Sequence, residues 1–132
     1  MKIPNINCTI QMTSTLHPSE DSEKVKKAIS NIFPYSTVKT DLFSITAQSK
    51  ELRSFEKIHE TIHSKKSQNI YRRYLEKNLD NDTTWFYLNK QAAFVKQIAI
   101  CEEAEESPLG PIKVILTSSN IDGVIDWIVL GN

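Results

Sequence analysis

Apolar and polar residues alternate along this chain with two different periods, and the switches between them mark its elements. Ile6, Cys8, Ile10 and Met12 alternate with Asn7, Thr9 and Gln11, the period of two expected of a strand with one buried face. After Pro18, Ser19 is followed by Glu20, Asp21 and Glu23, a capping hydroxyl and negative charge where a helix dipole is positive. Val25, Ala28, Ile29, Ile32 and Phe33 then recur at helical spacing before Pro34 ends the helix. Ser36 to Gln48 is rich in β-branched residues and predicts a second strand. Its apolar phase changes from Val38 and Leu42 to Phe43, Ile45 and Ala47, as a bulge near Leu42 would require.

Ser49 can cap a helix whose stripe is Leu52, Phe55, Ile58 and Ile62. A further helix, Ser67 to Leu79, carries Ile70, Tyr71, Tyr74 and Leu75, and the polar run from Ser64 to Gln68 predicts a break between the two. Asp80-Asn81-Asp82 has turn chemistry. The stretch from Thr83 to Cys101 holds two apolar runs around Asn89, Lys90 and Gln91, with no Gly or Pro inside, and reads as a central hairpin of two strands. Ile112 to Thr117 is a last strand, and Asn120 or Asp122 caps a final helix bearing Ile121, Val124, Ile125 and Ile128. The order β-α-β-α-α-β-β-β-α predicts a single α+β domain over residues 1–132. Its helices pack on one face of a mixed, mainly antiparallel twisted sheet.

Composition narrows the function classes. At 132 residues the chain can bury roughly two-thirds of its unfolded surface in one core. With 39% hydrophobic and 24% charged residues, it fits neither a disordered nor a membrane class. No apolar run is long enough to span a bilayer, and the start lacks a signal-peptide pattern, so a cytoplasmic location is expected. Sixteen basic residues balance sixteen acidic ones, so an anionic partner must be met by a local patch. Cys8 and Cys101 lie among apolar neighbours at a spacing unlike a zinc knuckle, which predicts buried free thiols.

His59-Glu60-Thr61-Ile62-His63 matches the H-E-x-x-H pattern of zinc peptidases, in which the histidines ligate the metal and the glutamate activates water. A third ligand would have to be Glu76, Asp80 or Asp82, and no histidine follows. A helical wheel sets His59 and His63 at the edge of the apolar stripe beside Glu56. The structural reading is therefore preferred, with no metal or other cofactor expected, and a zinc hydrolase is kept as a minor alternative. Lys65, Lys66, Arg72, Arg73 and Lys77 concentrate positive charge in one segment. If it is helical, Lys66, Arg73 and Lys77 form a ridge that can track phosphates while Tyr71 or Tyr74 stacks on a base; a solvated face is the plainer reading. In the hairpin, Trp85 and Tyr87 share one parity and Phe86 and Leu88 the other, so one aromatic pair is left on the open face. That face suits nucleic-acid stacking, or alternatively a protein-interaction module in which it contacts a partner protein or a second copy of the chain. Asn89, Lys90 and Gln91 are either ligand contacts or an exposed turn. No phosphate-cradling glycine loop and no serine or cysteine nucleophile in a recognisable setting is present.

Phe86-Tyr87-Leu88-Asn89-Lys90-Gln91-Ala92-Ala93-Phe94-Val95, the later Glu106-Ser107-Pro108-Leu109-Gly110-Pro111-Ile112 and Ile125-Asp126-Trp127 resemble a family of small archaeal proteins. The opening from Pro18 to Ile29, with Asn31-Ile32-Phe33-Pro34, is also similar to that family. Its members are described as predicted RNA-binding proteins, and relatives are linked by prediction to the exosome. The resemblance implies a fold similar to that of the ribosomal protein that holds the 5S RNA, a cytoplasmic setting and a role on RNA without catalysis. It gives weight to Asn89, Lys90 and Gln91 as ligand contacts beside Lys66, Arg72, Arg73 and Lys77. The His59 to Gln68 region departs from the family pattern, where a more basic segment without paired histidines is expected.

Overall fold

The computed structural model describes residues 3–131. Its strands are β1 (Thr9–Thr15), β2 (Thr37–Thr40), β3 (Ser44–Ser49), β4 (Thr83–Leu88), β5 (Ile100–Cys101) and β6 (Ile112–Thr117). They form one open sheet in the order β2-β3-β1-β6-β4-β5. Every pairing is antiparallel, so the expected mixed sheet is corrected to a wholly antiparallel one. The helices are α1 (Ser22–Ile32), α2 (Glu56–Ser64), α3 (Gln68–Lys77), α4 (Lys90–Phe94) and α5 (Ile121–Leu130). Among the described residues, no helix is long and apolar enough to cross a membrane.

Strand alternation decides where the core lies. Ile10, Met12, Ile45, Ala47, Phe86, Leu88, Ile112, Val114 and Leu116 are all buried, and they share the face on which the helices pack. Against them sit Val25 and Ile29 of α1, Ile58 and Ile62 of α2, Tyr71 and Leu75 of α3, and Val124 and Ile128 of α5. The opposite face, built from Thr9, Gln11, Thr13, Thr46, Trp85, Tyr87, Lys113 and Ile115, is half-buried or exposed. Cys8 and Cys101 are buried free thiols, and burial pushes the Cys8 thiol up to about 11, which keeps it protonated and unreactive.

Three expected elements are corrected. Ser36 to Gln48 is a hairpin of β2 and β3. The phase change near Leu42 is its turn, in which the Asp41 carboxylate accepts the Leu42 N–H at 2.7 Å and Leu42 and Phe43 are exposed. The first strand begins at Thr9 and keeps the expected parity. The stretch Thr83 to Cys101 contains β4, then α4, then only two residues of β5. Asn89 is the helix cap, its side chain accepting the Ala92 N–H at 2.9 Å, and Ala92 and Ala93 favour the helix that follows. Pairing of Tyr87 with Cys101 and Leu88 with Ile100 closes this helical detour. The break expected before α3 is present, with Lys66 in a left-handed turn at φ 54°.

Candidate nucleic-acid interface

Successive side chains of β4 divide between two environments. Thr84, Phe86 and Leu88 are buried, with the Phe86 ring edge-on to Tyr71 at 5.4 Å and to Phe55 at 6.2 Å. Trp85 and Tyr87 stand on the open face with ring centroids 5.0 Å apart. Strand register extends this pair into two rows. Trp85 lies beside Ile115, then Gln11, then Gln48; Tyr87 lies beside Lys113, then Thr13, then Thr46. The Lys113 ammonium sits 4.5 Å from the Trp85 ring centroid, a cation–π distance. Neither row contains a carboxylate, so a strand laid along the rows would meet aromatic surface, one cation and hydrogen-bonding side chains.

The expected basic ridge is broken by the fold. Lys66 lies in the turn before α3, away from the helical register that would join it to Arg73. Arg72 is paired with Glu76 at 3.2 Å and reaches Asp126 of α5 at 3.7 Å, so much of its charge is met within the protein. Arg73 lies over the Tyr74 ring at 5.2 Å. Lys77, Tyr74, Asn78, Trp85 and Tyr87 line one hollow of about 420 Å³ at the sheet edge. Asn78 ties α3 to this edge by donating to the Trp85 carbonyl at 2.9 Å. Lys77 therefore adjoins the aromatic pair, with Arg73 beside it over Tyr74, while Glu102, Glu103 and Glu105 also line the hollow and oppose an anion there.

In the former hairpin centre, the three polar residues have separate tasks. Asn89 is committed to its cap. Gln91 is exposed and donates to the Pro108 carbonyl at 3.3 Å. Lys90 is corrected from an expected ligand contact to an internal anchor, since it is fully buried. Its ammonium donates to the Thr15 and Leu109 carbonyls at 2.9 and 2.8 Å and pairs with Glu20 at 3.0 Å. A buried ammonium persists only when charge and hydrogen bonds are both supplied, and here β1, the start of α1 and the loop before β6 supply them together.

The zinc alternative does not match the geometry of the paired histidines. His59 Nε2 donates to the Trp127 carbonyl at 3.2 Å and His63 Nε2 to the Ile128 carbonyl at 3.0 Å. Because a carbonyl only accepts, both Nε2 atoms carry protons. Gln68 donates to His63 Nδ1 at 3.3 Å, and the His59 ring stacks on Trp127 at 4.6 Å. The pair thus tethers α2 to the last turn of α5. Burial, then the neighbouring His63, hold the His59 pKa below its ordinary value of 6.5. Among the described residues, no three His, Cys, Asp or Glu side chains group as a metal site.

Lys113 was missed because it stands alone in a short strand; its parity, opposite to Ile112 and Val114 and shared with Ile115, is the signal that places it on the open face. The family model described as RNA binding matches residues 9–117. The UPF0201 protein of Sulfurisphaera tokodaii is 38% identical over 117 residues, covering 86% of this chain and 81% of the relative. That of Methanothermobacter thermautotrophicus is 33% identical over 121 residues, covering 90% and 89%. A crystal structure of the UPF0201 protein from Methanococcus jannaschii has a TM-score of 0.78 at 30% identity, covering 92% of each chain.

Proposed function

From the chain's membership of the UPF0201 family, whose model is described as RNA binding, we propose that it is a non-catalytic protein that binds single-stranded RNA on the open face of its sheet. The observation that carries this reading is the Trp85, Tyr87 and Lys113 cluster in adjoining rows free of carboxylates. Aromatic rings accept bases of any sequence, and the threonine and glutamine lane on β1 and β3 offers partners to the ribose and base edges. Arg73 and Lys77 carry phosphates at the edge of this face. Association with the exosome, a cytoplasmic setting and likeness to the 5S-RNA-binding ribosomal protein belong to the same proposal.

Titration with short single-stranded RNA, with duplex DNA as the control, tests it. Salt-dependent binding that falls in Trp85→Ala supports the reading, and binding unchanged by Trp85→Ala moves the site elsewhere. A homodimer through the same face is a second reading, favoured by Ile115 beside Trp85. Light scattering that finds a monomer at high concentration removes it.

A further inference from the structure

Three lysines converge on a cleft that neither the open face nor α3 includes. Lys24 and Lys27 project from α1 one turn apart, with Ala28 and Asn31, and across from them stand Phe94 of α4 and Lys96 just beyond it. The cleft is open to solvent on one side and offers about 480 Å³, within the range of small-molecule sites. Its geometry is held from both sides. Asn31 Nδ2 donates to the Ala93 carbonyl at 3.2 Å, joining α1 to α4. Lys96 is fixed by a left-handed turn at φ 62°, with Gln97 N–H donating back to the Ala92 carbonyl at 2.9 Å.

No carboxylate lines this cleft. Among the described residues, Lys24, Lys27 and Lys96 have no ion-pair partner. Glu20, one turn before Lys24, is committed to Lys90. Positive charge gathered in a lining without a carboxylate favours a bound anion, and three lysines can hold more than a single phosphodiester. The half-buried Phe94 ring adds an apolar wall, and the side-chain oxygen of Asn31 can accept from a ligand.

We infer that this cleft binds a polyphosphorylated nucleotide, its phosphates on Lys24, Lys27 and Lys96 and its base against Phe94. The ligand is either a free nucleoside di- or triphosphate or the 5′-triphosphate end of an RNA. The site rests on the cleft alone; only the second source depends on the RNA-binding reading.

Calorimetric titration of the whole chain with ADP, ATP and adenosine, and with an oligonucleotide bearing either a 5′-triphosphate or a 5′-hydroxyl, tests it. ADP or ATP is expected to bind at least about tenfold tighter than adenosine, and the Lys27→Ala/Lys96→Ala variant to lose that margin. Both substitutions are at exposed positions, and Phe94→Leu, which keeps the packing, should weaken the nucleotide several-fold while Trp85→Ala leaves it unchanged. A triphosphate-dependent gain that appears only for the oligonucleotide, and disappears in the lysine variant, assigns the ligand to an RNA end. If neither phosphorylated probe outdoes its unphosphorylated partner, or the lysine variant binds like the parent chain, the inference is overturned.

Discussion

Phe86 and Trp85 are neighbours in one strand, yet they answer to different demands. Phe86 is sealed among Phe55, Tyr71 and the helices, where its packing holds the sheet to its cover. Trp85 has a cation above its ring and Ile115 beside it, and it is half-exposed on the open face. The same contrast separates two lysines. Lys90 is buried on a carboxylate and two carbonyls, whereas Lys113 lies half-exposed over an aromatic ring. Residue type therefore says little about role here; the face a residue occupies decides whether it stabilises the fold or is available to a ligand.

Substitutions on the two faces should separate these roles. Phe86→Ala is expected to cost about 3–5 kcal/mol of stability, from lost transfer energy and the cavity left behind, measured by denaturant unfolding. Lys90→Ala should cost a comparable ~3–5 kcal/mol, because it strands the Glu20 carboxylate. A Lys90→Met/Glu20→Gln pair should recover much of that loss, which a ligand-contact role for Lys90 would not predict. On the open face, Trp85→Ala should leave stability within about 1 kcal/mol of the parent. It should weaken single-stranded RNA by about 1–3 kcal/mol, the range for loss of one stacked base.

The charged edge should give a smaller, differently shaped effect. Replacing Arg73 and Lys77 by Gln should reduce the slope of log K against log salt by about 0.7 for each phosphate no longer neutralised, whereas Arg72→Gln, already paired with Glu76 and Asp126, should change it less. The smallest effect belongs to the covered side. The lowered His59 pKa means that its contribution to stability is complete above the ordinary value of 6.5 and is lost as pH falls toward the lower folded value. Thermal melts at successive pH values should show this loss, and His59→Gln should reduce it.

Strand and helix periodicity made most of the fold legible, because β1, β3, β4, β6, α1 and α5 each bury one face. What escaped depended on local polar chemistry or distant partners. Asp41 turns the β2–β3 connection through its carboxylate, and a phase change alone does not tell a turn from a bulge. Asn89 before Lys-Gln-Ala-Ala is a helix start signal, but the apolar run to Ile100 outweighed it in a reading by strand propensity. Lys90 could not be placed because its counter-charge lies 70 residues earlier. The α1–α4 cleft escaped for a related reason, since Lys24 and Lys96 meet only through tertiary packing. Conversely, the partition of Trp85 and Tyr87 from Phe86 follows from parity alone, and that is the part of the candidate site the sequence carried.

The most direct test of the RNA-binding account is a paired titration of the parent chain and Trp85→Ala/Tyr87→Ala with one short single-stranded RNA across a range of salt. The account predicts salt-sensitive binding by the parent and at least about a tenfold loss in the variant, with unfolding midpoints nearly equal. Equal affinity of the two proteins for the RNA, at matched stability, would contradict it.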